Sequence, residues 1–362
     1  MKARIIAYYL PQFYPIPEND SWWGKGFTDW TTVKNANPLF PGHRQPRKPG
    51  LLGYYDLRDK NIREEQAKLA SAHGIEGFCY WHYWFGNGKR LLNEVFDEVL
   101  ETGKPDFPFC LGWANHSWYK NKFADSGSTE LLVAQSYPGI ADYRQHFELV
   151  LKAFKDRRYL TIDDKPIFVI YRPWEIPDVH QFIDLWNQWS KESGIKGIYF
   201  VAYCFQLKEI NPLIKKGFSA VNLIRLYHFE NQFSLNKKIK SWFNRRLRNR
   251  GLIIDYKEAS VFFDGNEDER EDVIPTIIPN WDHSPRSGRR EHILSNSDPV
   301  SFKFHVERLI NRVRSKDIPV VFIKSWNEWA EGNYLEPDAE YGVEKLEMVS
   351  SILKEYISFE AR

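Results

Sequence analysis

Cysteine and methionine are scarce in this sequence of 362 residues, which has three Cys and two Met. Its formal net charge is small, at +2. Because 50 basic side chains are balanced by 48 acidic ones, no overall field attracts nucleic acid, and we expect no nucleic-acid partner. Cys79, Cys110 and Cys204 each lie in an apolar, strand-like run, and their spacing fits neither a disulfide framework nor a zinc site. We therefore expect reduced thiols, which favour a cytoplasmic location.

Long apolar runs and cofactor motifs are missing as well. No stretch approaches ~18 consecutive apolar residues, so we expect no membrane span. The first apolar run stops at Leu10, too soon for the core of a signal peptide, although a leader absent from this sequence would place the protein in the periplasm or outside the cell. There is no P-loop, GxGxxG, Asp-x-Asp or HExxH motif, and the ten His residues lack ligand spacing. We expect neither a metal ion nor a cofactor.

Short apolar runs alternate with amphipathic segments along the whole chain. The runs predicted as strands are 5–10, 77–83, 107–114, 167–171, 198–204, 220–226, 276–279 and 320–325. The segments predicted as helices are 61–73, 91–102, 142–155, 179–192, 209–216, 235–249, 299–315 and 343–358. This alternation predicts one α/β domain over residues 1–362, a single (β/α)8 TIM barrel. Long loops, at 11–59 and 256–275, are expected to elaborate it after strands 1 and 6.

The last predicted strand leads into a dense cluster of Trp, Asn and Glu. Glu328 and Glu331 lie three residues apart, and Trp326 and Trp329 flank them. In a parallel barrel, chemistry collects where strands end. Paired acids favour general acid/base catalysis, and indole faces suit the C–H faces of a sugar. The structural alternative is a strand end whose acids cap the next helix and whose Trp residues pack.

Residues 325–338 (SWNEWAEGNYLEPD) closely resemble the signature of the WbsX-type family, glycosyltransferases of surface-polysaccharide gene clusters. That family is similar to glycoside hydrolase family 99, the endo-acting α-mannosidases and α-mannanases. The same resemblance is carried by 8–13 (YYLPQF), 22–30 (WWGKGFTDW), 53–58 (GYYDLR), 77–85 (GFCYWHYWF), 113–115 (WAN) and 280–286 (NWDHSPR). His116 departs from the pattern, since Glu follows Trp-Ala-Asn in many WbsX-like sequences.

The resemblance implies a TIM barrel and assigns roles to the two acids. Glu328 would act as base on the 2-hydroxyl of the sugar, whose oxygen attacks the anomeric carbon to give a 1,2-anhydro intermediate. Glu331 would be the general acid/base for the leaving oxygen, so we expect its pKa to be raised by burial and by the charge of Glu328. The function expected is a retaining glycoside hydrolase or transglycosidase acting on a bacterial-type surface polysaccharide. The alternatives are a glycosyltransferase of O-antigen or capsule synthesis and a non-catalytic polysaccharide-binding barrel.

Side chains at the predicted strand ends and in the first long loop are the candidate substrate contacts. Some of them have a structural alternative: His82 as a core histidine, Arg172 as the partner of Glu175, and Trp22 and Trp30 as a self-packed loop core. Asn115 and Asn327, by contrast, each have a side-chain amide at a strand end that is suited to orient an acid. The predicted contacts are Tyr8, Gln12, Trp22, Trp30, Tyr80, His82, Trp113, Asn115, His116, Arg172, Tyr203, Tyr227, Trp281, Asp282, Trp326, Asn327, Trp329 and Tyr334.

The stretch 236–250 is strongly basic, and one helical face of it can gather four apolar side chains. These are Ile239, Trp242, Phe243 and Leu247. The ordinary interpretation is a barrel helix with a solvated basic surface. The alternative is peripheral contact with a membrane surface or with an anionic polysaccharide.

Overall fold

A computed structural model describes residues 3–121, 129–248, 251–288 and 290–360. The end of the basic stretch, at 249–250, lies outside the described residues. Within these ranges, no helix combines the length and the apolar character needed to cross a bilayer. Cys79, Cys110 and Cys204 are free thiols and are buried, as predicted.

The elements follow one another as parallel strands with intervening helices, the arrangement of a (β/α)8 barrel, which confirms the predicted fold class. The described strands are β1 (Arg4–Tyr9), β2 (Gly77–Trp84), β3 (Arg90–Leu91), β4 (Phe109–Trp113), β5 (Trp118–Asn121), β6 (Thr129–Val133), β7 (Thr161–Ile162), β8 (Lys165–Ile170), β9 (Tyr199–Cys204), β10 (Ala220–Leu223), β11 (Ile253–Asp255), β12 (Val273–Ile277), β13 (Ile293–Ser295), β14 (Val320–Ile323), β15 (Asn327–Glu328) and β16 (Asn333–Tyr334). The described α-helices are α1 (Pro17–Trp23), α2 (Asp29–Lys34), α3 (Lys60–Ala72), α4 (Glu94–Thr102), α5 (Ile140–Phe154), α6 (Val179–Glu192), α7 (Ile210–Lys215), α8 (Leu235–Arg248), α9 (Tyr256–Ser260), α10 (Ser284–Ser287), α11 (Pro299–Val313) and α12 (Glu344–Glu360).

The chain divides into two compact units, one made of residues 1–76 and 224–362 and the other of residues 77–223. In the first unit, β14 pairs in parallel with β1 on one side and with β12 on the other. All four residues of β14 are buried, as expected for a parallel strand covered on both faces. Because the three strands run in parallel, their carboxyl ends lie at one edge, and the segments after β12 and β14 begin there.

The second unit holds the parallel strands β2, β4, β8, β9 and β10 in that order. Helix α6 shows how the sequence sets its boundaries. Asp178 accepts the N–H of Gln181 at 3.1 Å as the N-cap. Gly194, with φ +82°, follows the helix end, where a left-handed conformation favours glycine. The predicted bounds of this helix, 179–192, are confirmed.

The predicted loop 256–275 contains more regular structure than expected. It opens with α9, and β12 begins at Val273, three residues before the predicted start. Pro275 is the last residue of the predicted loop. It lies inside β12 instead, directly before Thr276, the first residue paired with β14. Proline cannot donate to a strand ladder. The missing N–H therefore falls outside that pairing.

Candidate active site

The two predicted catalytic acids follow β14 on a turn that is hydrogen-bonded to the backbone of Leu10, directly after β1. The N–H groups of Asn327 and Glu328 both donate to Ser325 Oγ, at 3.1 and 2.9 Å. The Asn327 side chain accepts from the N–H of Leu10 at 2.7 Å and donates to its carbonyl oxygen at 3.0 Å. These contacts are buried, so the turn is held in one conformation. Asn327 therefore orients Glu328 through the backbone.

A short 3-10 turn, Trp329–Glu331, then brings Glu331 beside Glu328 and ends at Gly332. Gly332 has φ +59°, and a Cβ atom there would lie 2.7 Å from the Cβ of Asp282, so a larger residue does not fit. The carbonyl oxygen of Glu331 accepts the N–H of Asp282 at 2.7 Å. The segment after β12 therefore packs directly against the second acid.

The carboxyl groups of Glu328 and Glu331 act on each other electrostatically and share a cationic neighbour. Lys324 Nζ lies 3.5 Å from Glu328 and 3.7 Å from Glu331. Arg286 Nη1 donates to Glu331 at 2.8 Å, and the Asn333 amide donates to Glu328 at 3.3 Å. Glu331 is thus ion-paired with two cations, whereas Glu328 is ion-paired with one.

Between pH about 2 and pH about 7 the pKa values of the pair leave it one proton, on Glu328. Burial raises the pKa of Glu328 to about 7. The negative charge of Glu331 also raises this pKa, whereas the positive charge of Lys324 lowers it. Burial also disfavours the charged form of Glu331. The positive charges of Lys324 and Arg286 have the larger effect and lower the pKa of Glu331 to about 2. The prediction of a raised pKa for Glu331 is therefore wrong in this structure, because the two cations beside it dominate.

We expect this shared proton to set a basic limb in the pH profile of activity. Its loss above pH about 7 leaves two carboxylates and no acid, so kcat/KM should fall by about tenfold per pH unit there. Replacing Lys324 by Met removes a cation from both carboxylates, which raises the pKa of the pair and should move the limb to higher pH. Profiles of both proteins over about five pH units check this. A limb that stays in place in the variant contradicts the assignment.

Arg286 is held in place by a second carboxylate. Its Nη2 donates to Asp29 Oδ1 at 2.7 Å, while Asp29 Oδ2 accepts the N–H of Ala330 at 3.2 Å. Asp29 is a buried residue of α2, so its charge needs a partner such as Arg286. Neither residue is among the predicted contacts, although the motifs 22–30 and 280–286 contain them. Nothing within either motif indicates that the two side chains meet.

Asp282 is fully buried and anchors a segment of the first long loop. His43 donates from Nε2 at 2.9 Å, since its Nδ1 accepts a backbone N–H, and Gln45 donates from Nε2 at 2.7 Å. The N–H of Ser284 donates to the other carboxylate oxygen at 3.2 Å. Burial raises the pKa of Asp282, but the hydrogen bond from His43 and the charge of Arg47 lower it to about 2. As a substrate contact, Asp282 stays a prediction.

The indole rings predicted as sugar platforms are packed inside the protein. Trp329 is 1% exposed and stacks on Tyr334, with ring centroids 3.7 Å apart. Trp30 is also buried, 5.3 Å from the Trp329 ring, and Trp326 is fully buried. Trp281 lies beneath a cation, with Lys324 Nζ 4.9 Å from its ring centroid. These rings shape the turn that carries the acids, and their contact with a sugar stays a prediction.

Glu336 is a third buried acid in the same segment, which the sequence did not single out. It accepts hydrogen bonds from Tyr55 Oη at 2.8 Å, from Gln66 Nε2 at 2.6 Å and from Trp329 Nε1 at 2.6 Å. Burial raises its pKa to about 7 in spite of these donors. With three protein donors on its two oxygens, Glu336 positions the Trp329 ring.

Several polar groups in the segments next to the acids are buried without a partner among the described residues. Both polar side-chain atoms of Asn280, Nε1 of Trp281, Oγ of Ser284 and Oδ1 of Asn333 are in this state. Buried polar groups are nearly always hydrogen-bonded to protein or to ordered water, so these atoms are available to a bound water molecule or to a ligand. A molecule rich in hydroxyl groups satisfies donors and acceptors alike. Asn280 stands at the end of the predicted seventh strand but is not among the predicted contacts, and Asn333 was missed, although each stands in a motif that carries the resemblance.

Four other predicted contacts lie in the first unit. Tyr8 is fully buried, while Gln12 and Trp22 are half-buried. Tyr227 is half-buried, and its hydroxyl donates to Glu291 Oε2 at 3.1 Å. As substrate contacts all four stay predictions.

The remaining seven predicted contacts lie in the second unit. His82 is a core histidine there, because it is 6% exposed and its Nε2 lies 2.9 Å from Nε2 of His146. Burial lowers its pKa to about 3. The others are Tyr80, Trp113, Asn115, His116, Arg172 and Tyr203.

Of these, Tyr80, Trp113, Asn115 and Tyr203 are buried. Asn115 Oδ1 accepts the N–H of Arg172 at 2.7 Å, so this amide fixes a backbone turn. The Arg172 side chain is exposed and lies 4.0 Å from Glu175, as the structural alternative predicted. Burial lowers the pKa of His116 to about 4. Contact of these side chains with a substrate stays a prediction.

The described residues contain no group of three or more His, Cys, Asp or Glu side chains placed to hold a metal ion.

A sequence model of the family described as Glycosyltransferase WbsX matches residues 5–349, which confirms the resemblance given by the motifs. A relative described as "Uncharacterized protein WxcX", from Xanthomonas campestris pv. campestris, is 34% identical over 349 residues. The match covers 94% of this chain and 48% of the relative. This chain thus spans about half the length of the curated relatives it matches.

Two solved structures share the fold. A GH99 endo-alpha-mannosidase from Bacteroides thetaiotaomicron, in complex with Bis-Tris propane, is 14% identical, with a TM-score of 0.57 and coverage of 99% of this chain and 98% of that one. A structure described as "Glycoside hydrolase-like protein" is 15% identical, with a TM-score of 0.61 and coverage of 97% and 94%. At these identities the likeness establishes the fold alone.

Proposed function

This chain belongs to the WbsX glycosyltransferase family, and we propose that it cleaves or transfers glycosidic bonds of a surface polysaccharide with retention, through one catalytic domain over residues 1–362. The observation that carries this proposal is the Glu328–Glu331 pair beside Lys324, with one carboxyl group buried, the other half-buried, and pKa values of about 7 and about 2. Such a pair offers an acid and a base at the same time, as glycosidic cleavage requires. The unpartnered polar groups of Asn280 and Ser284 suit a substrate rich in hydroxyls.

In the proposed reaction Glu328 acts on the sugar ring and Glu331 on the leaving group. A donated hydrogen bond from the sugar 2-hydroxyl stabilises the carboxylate of Glu328, whose proton passes to Glu331. Glu328 then takes the proton of the 2-hydroxyl while O2 attacks C1, the C1–O bond breaks and Glu331 protonates the departing oxygen. Glu331 next deprotonates water or an acceptor hydroxyl, which opens the 1,2-anhydro ring at C1 as O2 regains its proton from Glu328.

The test is a screen of oligosaccharides with products identified by mass spectrometry in ¹⁸O-labelled water. Label in a new reducing end indicates hydrolysis, unlabelled longer products indicate transglycosylation, and the anomer first formed, read by NMR, reports retention. A glycosyltransferase, the second candidate because of the family description, would instead elongate acceptors only from a nucleotide- or lipid-linked donor. Binding of glycans without any turnover would support a non-catalytic barrel.

Helix α8 adds a proposed partner, because its apolar face is exposed. Leu235, Ile239, Trp242, Phe243 and Leu247 recur at helical spacing and are between 43% and 73% exposed. A barrel helix with a merely solvated basic surface would bury that face. Basic side chains interleaved with an exposed Trp and Phe are typical of helices that lie in the interface of an anionic membrane. We infer peripheral contact with such a surface, at its cytoplasmic side, which the free buried thiols favour.

Replacing Trp242 and Leu247 together by Ser should weaken binding to vesicles of phosphatidylglycerol and phosphatidylcholine by at least about tenfold, because two apolar anchors are lost. Co-sedimentation measures the effect, and vesicles of phosphatidylcholine alone should bind the parent protein less well. Trp174→Ser is the matched control, since Trp174 is 48% exposed and lies outside α8. Equal binding by the double variant and the parent protein would show that α8 does not dock.

A further inference from the structure

A pocket of about 260 Å³ lies between residues 44–48 of the first long loop and residues 334–340 that follow the catalytic turn. Three of its lining side chains are cationic, Arg44, Arg47 and Lys48, and two are acidic, Asp338 and Glu340. Its volume is below the ~300 Å³ at which pockets for drug-sized ligands begin, so it suits one sugar unit or one charged group.

The acidic groups of this pocket are already engaged by the protein. Asp338 accepts from the Tyr334 hydroxyl at 2.8 Å and from the N–H groups of Glu340 and Tyr341 at 2.9 and 2.7 Å. Glu340 pairs with Arg44, with the N and O atoms 2.8 Å apart. Arg44, Glu340 and Asp338 therefore all have hydrogen-bond or ion-pair partners within the pocket wall.

The other two cations have no carboxylate in direct contact, and Asp282 and Asp338 attract Arg47 over a longer distance. In the part of the chain that the structure describes, no carboxylate oxygen lies within 4.0 Å of the charged nitrogens of Arg47 or Lys48. Arg47 is half-buried, its Nε is buried without a hydrogen-bond partner, and its Nη1 reaches the Tyr334 hydroxyl only at 3.5 Å. Desolvated charges in proteins are normally paired, and the planar guanidinium fork matches carboxylate and phosphate oxygens.

Both walls of the pocket are joined to the catalytic turn. Tyr334 pairs with Asn327 across β15 and β16, next to Glu328. Gln45 donates to Asp282, whose N–H in turn donates to the carbonyl oxygen of Glu331. The residues that line the pocket are therefore linked by hydrogen bonds to the segment that carries the acid pair.

We propose that this pocket is a subsite for an oxyanion carried by the glycan, the carboxylate of an acidic sugar or a phosphate substituent, held by Arg47 and Lys48. The subsite deepens the proposed function, because it makes an anionic polysaccharide the substrate class. A neutral polymer offers no oxyanion to the guanidinium of Arg47, whose Nε has no hydrogen-bond partner, or to the exposed ammonium of Lys48.

The test measures binding directly and so does not depend on turnover. Glucuronate, galacturonate and mannuronate are compared with glucose, galactose and mannose, which differ from them only at C6, and with the hexose 6-phosphates as a separate arm, by ligand-observed NMR and calorimetry. The uronates or the phosphates should bind at least about tenfold more tightly than the neutral sugars, and less tightly as salt rises. Preference within the anionic arms tells a carboxylate source from a phosphate source.

Arg47→Gln should reduce anion binding by about 10- to 100-fold and leave the weak binding of neutral sugars unchanged. Lys48→Gln, at an exposed position, should reduce it by a smaller factor and keeps the test decisive if Arg47→Gln folds poorly. Arg58→Gln is the matched control, because Arg58 is an exposed arginine paired with Asp56. No binding of any anionic probe, equal binding of neutral and anionic sugars, or unchanged binding in both pocket variants would overturn the subsite. Cleavage of a neutral glycan in the earlier screen would leave the proposed activity standing in each of these cases.

Discussion

Glu331→Gln is expected to lower turnover of an oligosaccharide substrate by about 10²–10⁴-fold, because a departing sugar oxygen needs a proton that an amide does not supply. The loss should be much smaller on an aryl glycoside with an activated phenol, which departs without protonation. Affinity for the glycan should persist, since the amide keeps the shape of the carboxyl group. Turnover on both substrates and binding measured by calorimetry check the three parts separately.

Glu344→Gln is the matched control for this variant, because the same change is made at an exposed acid in the first turn of α12. It should leave turnover unchanged. Near-normal turnover of the oligosaccharide by Glu331→Gln would show that Glu331 is not the general acid. A loss of equal size on both substrates would move Glu331 to the ring side of the reaction.

Glu328→Gln is expected to be severe whichever leaving group the substrate carries. The proposed role of Glu328 is to take the proton of the 2-hydroxyl, and an activated phenol does nothing for that step. We expect a loss of at least about 10³-fold on the oligosaccharide and on the aryl glycoside alike, with glycan binding retained. Rates of both substrates in the two variants separate the roles of the two acids.

The contrast between these variants also tests which of the two acids carries the proton before the reaction begins. Glu328 carries the proton in this structure, whereas the proposed reaction begins with the proton on Glu331. If Glu328→Gln is the variant rescued by an activated leaving group, Glu328 is the acid and Glu331 the base, and no transfer between them precedes the reaction. If both variants are as active as the parent protein, the two acids are structural.

The fold was predictable because each barrel strand is a nearly continuous apolar run. The four residues of β14 lie within a predicted strand, as do the six of β9, and α6 was predicted to the residue. The predicted start of β12 was three residues too late, because this strand includes Pro275, which the sequence placed in a loop. The hairpin β5–β6 and the short helix α10 were missed, because runs of four or five mixed residues carry no clear period.

The acids of the site were predictable, and their electrostatic surroundings were not. Glu328 and Glu331 stand in one continuous motif. Arg286 and Asp29 reach Glu331 from segments 45 and about 300 residues away in sequence, and that meeting is a product of the fold. The protonation of the pair was predicted wrongly for the same reason, because it depends on Arg286, which forms an ion pair with Glu331 and not with Glu328.

The division of the chain into units has a consequence for biosynthesis. Residues 77–223 form one continuous stretch, which a ribosome completes while most of the partners of the other unit are still untranslated. Residues 1–76 leave the ribosome before that stretch, yet β14, a strand that pairs with β1 in their own unit, is made after it. One strand partner of the buried β1 is therefore absent throughout that interval, which leaves an edge open to non-native contacts. A release from translation before residue 331 would yield a chain that has no acid pair.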